Sequence, residues 1–275
     1  MKLALTIQTP EVQATVPVAL LSGTMLEKLE KAARMGAAGV ELITTGPASL
    51  DVPALQALLE RNGLQVAAVA SGGMAFAAGL TLLNPDPVVA ALARQRLDEL
   101  VDLAAALHAP VVTVGSFRGR SFSDRDRSLA RLAVILRRAA DRAALSGVRI
   151  AIEPLNRYEG DLVNNVAEGL AFLNKVNHPA VGLLVDTFHA NIEETSWTEP
   201  FRQAARAGKL FHVHLGDNNR LPPGQGLIDF SAILSTLAQS GYAGWLSAEL
   251  LAKPDPDTAG MLTLDYIHKL LKNLR

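Results

Sequence analysis

Eight short runs of apolar, often β-branched residues recur along the chain, and longer amphipathic stretches separate them. This alternation is typical of βαβ units whose strands form a parallel sheet. The predicted strands cover residues 3–7, 39–43, 65–69, 110–114, 149–153, 182–186, 210–214 and 245–249. Eight such units in 275 residues match a (β/α)8 barrel, or TIM barrel, which typically uses about 250 residues. The predicted fold class is therefore α/β with one closed barrel.

Amphipathic helical patterns fall between the predicted strands. Apolar residues recur at intervals of three and four over residues 25–35, 88–107, 128–145 and 230–239. A doubly wound open sheet is the alternative, but it usually carries a glycine-rich phosphate loop after its first strand, and here Gln8-Thr9-Pro10 follows. No linker or low-complexity segment divides the sequence, so we predict a single domain over residues 1–275.

Charge and cysteine content exclude several classes of function. The net charge of −1 and the pI near 6.6 provide no field that would attract a phosphate backbone, so nucleic acid is not an expected partner. The sequence has no cysteine, so a bound metal would use oxygen and imidazole ligands. The N-terminus lacks the features of a signal peptide, and no segment is apolar over the length of a membrane span. We therefore expect a cytoplasmic protein with no membrane role.

Three predicted strands end in a carboxylate, and a fourth ends in a histidine. Glu153, Asp186, His214 and Glu249 stand 33, 28 and 35 residues apart, each spacing being about one βα unit. In a barrel these side chains lie on neighbouring strands at one level. Three converging carboxylates would repel one another unless a cation neutralised them, so a divalent-metal site is predicted. This oxygen-rich set favours Mn2+ or Mg2+, although Co2+ or Fe2+ would also fit.

Two further polar residues lie near these strand ends. His212 and His214 share one face of their strand, but only His214 stands at its C-terminal end, so His212 is predicted to be an interior, hydrogen-bonded histidine. Glu41 lies towards the end of the second strand, and it either lines the pocket or faces water.

Three motifs carry a resemblance to a known family: IEPLNRYE at residues 152–159, DTFHANIEE at 186–194 and HLGDNNR at 214–220. The chain resembles the D-tagatose 3-epimerase and D-psicose 3-epimerase group of the xylose-isomerase-like barrels, most strongly from the fifth strand onward. The resemblance implies a sugar isomerase in which a divalent metal, Mn2+ above all, binds Glu153, Asp186, His214 and Glu249. It implies that the side chains holding the small-molecule sugar are Glu159, His189 and Arg220, and that the chain forms a homo-oligomer.

The loop after the fourth strand departs from the neutral-sugar enzymes of this group because it contains Arg118 and Arg120. Arginine forks suit carboxylates and phosphates. A branch that resembles the 5-keto-L-gluconate epimerases joins such a loop to the same metal motifs, so Arg118 is a predicted substrate-binding residue. The alternative is that the two arginines only pair with surface acids such as Asp124 and Asp126.

The predicted reaction is epimerisation at C3 of a ketose or a keto sugar acid. A metal ion would polarise the C2 carbonyl and stabilise the enediolate that forms when the C3 proton leaves. Inversion requires a group on each face of C3, because the proton leaves from one face and another returns to the opposite face. Glu153 and Glu249, from the fifth and eighth strands, are the predicted catalytic acid and base.

Other functions of the same fold stay open from the sequence alone. An aldose–ketose isomerase resembling hydroxypyruvate isomerase returns the proton to the neighbouring carbon, and a lyase resembling inosose dehydratase begins with the same metal-assisted enolisation. A catalytically silent sugar-binding barrel is the non-enzyme alternative. Endonucleases of related fold that cut at abasic sites are disfavoured, because their DNA face needs clustered positive charge and this chain is nearly neutral with six histidines.

Overall fold

The eight predicted strands are present, and their residues are almost all buried. The computed structural model describes residues 1–122 and 124–274. The strands are β1 (Lys2–Gln8), β2 (Gly39–Ile43), β3 (Gln65–Ala70), β4 (Val111–Val114), β5 (Arg149–Ile152), β6 (Val181–Asp186), β7 (Leu210–Leu215) and β8 (Trp245–Ala248). Every residue of β6 and β7 is buried, as expected where helices cover one face of a parallel sheet and barrel side chains cover the other. No strand boundary differs from its prediction by more than one residue.

The strands close into one barrel in chain order, and each pairs in parallel with its neighbours. The closing seam joins β1 to β8, with Lys2 opposite Trp245 and Leu5 opposite Ala248. Closure leaves no unpaired strand edge. The register between β6 and β7 places Asp186 opposite His214, so two of the predicted ligands stand side by side. The predicted (β/α)8 fold class is confirmed.

Helices connect the strands on the outside of the barrel. They are α1 (Met25–Arg34), α2 (Val52–Arg61), α3 (Gly72–Phe76), α4 (Pro87–Ala106), α5 (Arg125–Ala144), α6 (Val166–Val176), α7 (Thr187–Glu193), α8 (Glu199–Arg206), α9 (Phe230–Gln239) and α10 (Pro256–Lys272). Helix α5 begins three residues earlier than its apolar pattern predicts, because Asp124 caps it by accepting a hydrogen bond from the Arg127 amide. Within the described ranges, no helix is long and apolar enough to cross a membrane.

The chain turns sharply after β6, and this turn prepares the site. Helix α7 starts directly after Asp186, whose Oδ1 accepts a hydrogen bond of 2.7 Å from the Phe188 amide. Asp186 is therefore the last residue of a strand and the N-cap of a helix at once. One carboxylate oxygen is used by the helix, and the other is left to point across the mouth of the barrel.

Candidate active site

Four acidic and imidazole side chains meet at the carboxyl ends of β5 to β8. Glu153 and Glu249 directly follow β5 and β8, Asp186 ends β6, and His214 lies one residue before the end of β7. Their candidate ligand atoms all lie within 4.8 Å of one another. The first three residues in chain order are buried, and the Glu249 side chain is 14% exposed. The structure thus brings together the four residues that the sequence predicts as metal ligands.

Three atoms of this cluster are buried with no hydrogen-bond partner among the described residues. They are Oε1 of Glu153, Oδ2 of Asp186 and Nδ1 of His214. Buried polar atoms in proteins are nearly always paired, so three lone-pair atoms converging at one point fit a shared electron-pair acceptor. Three carboxylates and one imidazole are a donor set that a divalent cation accepts. These residues could therefore hold a divalent metal.

Glu41 of β2 fixes the ring of His214 from inside the barrel. Its Oε1 lies 3.0 Å from Nε2 of His214, and its Oε2 lies 2.8 Å from Nε2 of His212. A carboxylate accepts from a ring N–H, so Nε2 of His214 donates to Glu41, and Nδ1 is the nitrogen whose lone pair would bind a cation when the ring is neutral. Glu41 and His212 are both fully buried. Glu41 therefore neither lines the pocket nor faces water, whereas His212 occupies the interior, hydrogen-bonded position that the sequence predicts.

The protein's own charges separate the pKa values of the two glutamates. Burial and the neighbouring Glu249 raise the pKa of Glu153 well above its usual range. Burial also acts to raise the pKa of Glu249, but the His214 ring and Arg220 outweigh it and lower that pKa to about 2. Burial raises the pKa of Asp186 to about 6. Carboxyl groups with divergent proton affinities in one site are a common arrangement for acid–base chemistry.

The predicted substrate residues form a hydrogen-bonded group beside this cluster. Nη1 of Arg220 lies 3.0 Å from Oε1 of Glu159, and Nη2 lies 3.2 Å from Oε2 of Glu249. Asn156, which the sequence reading missed, donates to Oε1 of Glu159 at 3.1 Å and lies 2.8 Å from Nδ1 of His189. Nε2 of His189 lies 3.7 Å from Oε1 of Glu153. Each predicted residue of this group therefore contacts another of the group or a candidate ligand.

The loop that carries Arg220 is held by Asp217, a second residue to which the sequence analysis assigned no role. Asp217 is fully buried and accepts four backbone hydrogen bonds, from Asn218, Gly224, Gly226 and Ile228, at 2.8 to 3.1 Å. Arg220 itself adopts a left-handed backbone conformation with φ of +59°. Its guanidinium carbon lies 4.8 Å from the centre of the Phe188 ring. The Asp217 carboxylate therefore holds the turn that aims Arg220 at the site.

A pocket opens above the cluster at the mouth of the barrel. The ionisable part of its lining consists of Glu153, Glu159, His189, His214, Arg220 and Glu249. Leu155 and residues from β3, β4 and the segments after β1, β3 and β4 make up the uncharged part, the latter being Val18, Ala70, Gly72, Phe76, Thr113, Gly115 and Ser116. Among the described residues that line the pocket, Arg220 is the only arginine or lysine. A bound molecule would therefore meet charged side chains at the ends of β5 to β8 and uncharged residues from the first half of the chain.

The structure does not bring Arg118 to this pocket. Its side chain is fully buried, and its guanidinium donates to the backbone carbonyls of Gly115, Glu153 and Val163. Arg120 is exposed and donates to the Tyr158 carbonyl. Pairing with the surface acids is not seen either, since neither arginine forms an ion pair within residues 1–122 and 124–274. The expected contact between Arg118 and an anionic substrate is corrected accordingly, because the side chain is buried away from the pocket and its two Nη atoms donate to backbone carbonyls.

The fold and the carboxylate–histidine cluster define a class of protein, and comparison with known proteins agrees with it. The family model for the xylose isomerase-like TIM barrel matches residues 29–267. The chain belongs to this family.

Curated relatives place the chain more closely. It is 32% identical over 233 residues to a ketose 3-epimerase of Arthrobacter globiformis, covering 81% of this chain and 77% of the relative. It is 33% identical over 225 residues to an L-ribulose 3-epimerase of a Methylomonas species, covering 79% and 75%. A solved structure of L-ribulose 3-epimerase superposes with a TM-score of 0.83 at 27% identity, covering 98% of this chain and 95% of that one. The chain is therefore an isomerase-class enzyme of the ketose 3-epimerase group.

Proposed function

We propose that the protein inverts C3 of a free, neutral ketose, using Glu153 and Glu249 as the acid and base. The observation that carries this proposal is the convergence of two glutamates, from β5 and β8, on one point beside three unpartnered lone-pair atoms. The likeness to curated ketose 3-epimerases supports epimerisation over the isomerase, lyase and silent-binding alternatives. Each of these alternatives would give a different result in heavy water.

The proposed cofactor is a divalent cation held by Glu153, Asp186, His214 and Glu249, with Mn2+ as the first choice. Such a cation would supply Lewis acidity, lowering the cost of negative charge on the carbonyl oxygen when the C3 proton leaves. Three carboxylate oxygens and one imidazole nitrogen suit Mn2+ better than zinc or copper, and they also accept Mg2+ or Co2+. Glu41 presents the lone pair of His214 to this point.

Inversion at C3 requires one proton-transferring group on each face of the sugar, and Glu153 and Glu249 would be these groups. One carboxylate removes the C3 proton from its face of the sugar, and the electron pair enters the C2–C3 bond. The other carboxylic acid then delivers a proton to the opposite face. Without a bound cation, the pKa is raised for Glu153 and is about 2 for Glu249, so the protein's own charges favour one protonated and one ionised carboxyl group. Positioned proton transfer of this kind contributes roughly 10²- to 10⁴-fold to the rate.

The remaining polar side chains would hold and orient the sugar. Arg220, Glu159 and His189 line the pocket beside the two glutamates, and they offer both donors and acceptors to the hydroxyl and carbonyl groups near C1 to C3. The uncharged residues of the lining would receive the other end of the sugar. Because the charge of Arg220 already faces Glu159 and Glu249, a carboxylate or phosphate on the substrate would find no unpaired arginine or lysine among the described residues that line the pocket. This distribution of charged side chains supports a neutral ketose over an acidic keto sugar.

The deciding experiment incubates the Mn2+-loaded protein in heavy water with D-fructose, D-tagatose, L-ribulose and 5-keto-L-gluconate, and follows the products by NMR. The proposal expects a C3-inverted ketose that carries deuterium at C3, with the neutral sugars turned over faster than the acid. Deuterium at C1 with an aldose product would make the enzyme an aldose–ketose isomerase. Loss of water would indicate a lyase, and binding without exchange would indicate a silent barrel.

A further inference from the structure

Arg118 ties three segments of the chain together beneath the site. Its Nη1 donates to the Glu153 carbonyl at 2.7 Å and to the Gly115 carbonyl at 3.2 Å, and its Nη2 donates to the Val163 carbonyl at 2.9 Å. These carbonyls belong to the loop after β4, to the residue that directly follows β5, and to the segment that leads into α6. One planar group therefore sets the spacing of three backbone segments around Glu153.

Burial of the Arg118 guanidinium costs desolvation free energy, which its hydrogen bonds only partly offset. The guanidinium is fully buried, and none of its distances to a carboxylate in the described chain qualifies as an ion pair. Removing an arginine from water is unfavourable unless charges or hydrogen bonds compensate. Burial lowers the pKa of Arg118 to about 10, against the nearby charges of Glu153 and Asp161, so the group stays protonated at neutral pH. A fixed positive charge thus lies close to the carboxylate cluster.

The packing around Arg118 and Glu153 leaves little freedom for either group. A side chain at Gly115 would collide with Oε2 of Glu153, and a methyl group at Gly160 would lie 3.2 Å from Nη2 of Arg118. Gly115 also accepts a hydrogen bond from Arg118. Small residues therefore let the guanidinium and the carboxylate approach the same stretch of backbone from two sides.

We propose that Arg118 is a positioning residue for Glu153, which holds the backbone of that glutamate so that its carboxylate faces one side of the sugar. This inference rests on the proposed function, in which Glu153 exchanges a proton with C3. Glu249 follows β8 and is held by Arg220 and His214, so it does not depend on Arg118. Loss of Arg118 should therefore disturb one face of the substrate and spare the other.

The test compares Arg118→Lys with Arg137→Lys. Lysine keeps the charge but cannot donate to separated carbonyls in a fixed plane. Arg137 is a matched control on α5, because its Nε and Nη2 also donate to backbone carbonyls, those of Val176 and Lys175 at 2.6 and 2.8 Å, away from the pocket. Each variant is given each of the two C3 epimers in heavy water, and NMR measures C3 deuterium exchange separately from inversion.

In Arg118→Lys, we expect C3 exchange to fall about 10- to 100-fold for the epimer whose proton Glu153 removes, since small misplacements of a catalytic group cost rates of this order. The other epimer should still exchange its C3 proton through Glu249 near the wild-type rate. For that epimer, the ratio of C3 exchange to C3 inversion should rise. Arg137→Lys should match the wild type for both epimers. Equal slowing of both epimers, or wild-type behaviour, in Arg118→Lys would overturn the proposal.

Two further measurements test the role of Arg118 if the Arg118→Lys variant does not fold or if the wild type has no activity. If Arg118→Lys does not fold, Gly160→Ala replaces it, because the added methyl group would lie 3.2 Å from both Nη2 of Arg118 and Cβ of Leu155. A small shift of the guanidinium should then produce a smaller asymmetry of the same direction. If the wild type turns over no ketose, the proposed function fails, and crystal structures of the variants then decide the role of Arg118. A Glu153 carboxylate that moves in Arg118→Lys and not in Arg137→Lys supports positioning, and an unmoved carboxylate overturns it.

Discussion

Oε1 of Glu41 lies 3.0 Å from Nε2 of His214, across the interior of the barrel from β2 to β7. The two residues are 173 positions apart in the sequence, and only closure of the barrel brings them together. The contact fixes which ring nitrogen of His214 faces the carboxylates. A residue outside the proposed ligand set thus determines whether that set is competent.

Glu41→Gln should weaken Mn2+ binding without unfolding the protein. A glutamine amide accepts from one histidine N–H but presents its own N–H groups to the other, so His214 is no longer held in the tautomer that leaves Nδ1 free. Changes to such supporting carboxylates typically cost about 10- to 100-fold in metal affinity. Titration calorimetry on chelator-treated protein measures the affinity. Ser247→Ala is the control, because Ser247 contacts His212 at 3.0 Å and not His214; equal Mn2+ affinity in Glu41→Gln and Ser247→Ala would contradict the expectation.

Removal of the cation should both stop turnover and lower the melting temperature. Ligand that binds only the folded state stabilises it by about 2.7 kcal/mol at 100 times its dissociation constant. Thermal unfolding with EDTA and with graded Mn2+ measures this shift. In Asp186→Asn the shift should largely vanish, because the lone-pair atom Oδ2 becomes part of a neutral amide. An Asp186→Asn protein that Mn2+ stabilises as fully as the wild type would remove Asp186 from the ligand set.

The two glutamates should fail in complementary ways. Glu153→Gln and Glu249→Gln should each reduce inversion by roughly 10² to 10⁴, since each removes the proton carrier of one face. With each C3 epimer in heavy water, each variant should retain some C3 exchange for one epimer, and the retained epimer should differ between the two variants. Retention of exchange for the same epimer in both would show that the glutamates do not serve opposite faces.

Asp217→Asn should loosen the turn that carries Arg220. The Asp217 carboxylate accepts four backbone N–H groups, and an amide would leave part of this set without an acceptor, at about 1–3 kcal/mol. We expect lower stability and a rise in KM for the ketose, because Arg220 loses its support. Denaturant unfolding and steady-state kinetics measure the two effects. Asp229→Asn makes the same chemical change at the N-cap of α9, where asparagine caps as well as aspartate, and should leave both quantities close to wild type.

An ion pair near the closing seam should make the free energy of unfolding depend on pH. Nζ of Lys31 in α1 lies 2.6 Å from Oδ2 of Asp257 in α10, and Ser22 also donates to this carboxylate. Burial acts to raise the pKa of Asp257, but the bonds from Lys31 and Ser22 outweigh it and lower the pKa below its ordinary value. A lowered pKa in the folded state gives stability that is present above the unfolded pKa, near 3.9, and is lost as the pH falls through the folded value.

Asp257→Asn should therefore destabilise the protein at pH 7 by about 1 kcal/mol, and the difference from wild type should shrink as the pH falls below about 4. Urea unfolding at several pH values measures this difference. Asp265→Asn, at an exposed position of the same helix, is the control and should show no such trend. A deficit for Asp257→Asn that stays constant down to pH 3 would show that the carboxylate charge is not the source of the stability.

Much of the fold was predictable because its signals are local. Each strand is a short apolar run in its own right, so periodicity located all eight strands within one residue. The regular spacing of Glu153, Asp186, His214 and Glu249 then predicted their convergence, because consecutive βα units place strand ends at one level. The less regular start of α5 depended on a capping residue, Asp124, which the apolar pattern does not report.

The supporting residues were not predictable in the same way. Arg118 stands in a glycine-rich loop, where its sequence position predicted a substrate-binding or surface-paired arginine, and only the carbonyls of Glu153 and Val163, distant in sequence, explain its burial. Glu41 offered a weak signal, a carboxylate inside an apolar strand, but its partners lie on β7. Contacts between residues this far apart depend on tertiary packing, which a spacing rule does not describe.

The candidate ligands and sugar-holding residues all lie at the ends of β5 to β8 or after them, whereas the described pocket residues from β1 to β4 and their following segments are uncharged. Much of the pocket shape and the reaction chemistry are thus encoded in different halves of the sequence, with Glu41 and Arg118 as contributions of the first half to the second. Apart from the loop that carries Arg118, loops in the first half can change in size without altering the charges that surround the reacting carbon. Selection, or directed evolution, can therefore retune which sugar is accepted by exchanging these loops alone, and recombination between relatives at the β4–β5 boundary is a natural route to new specificities.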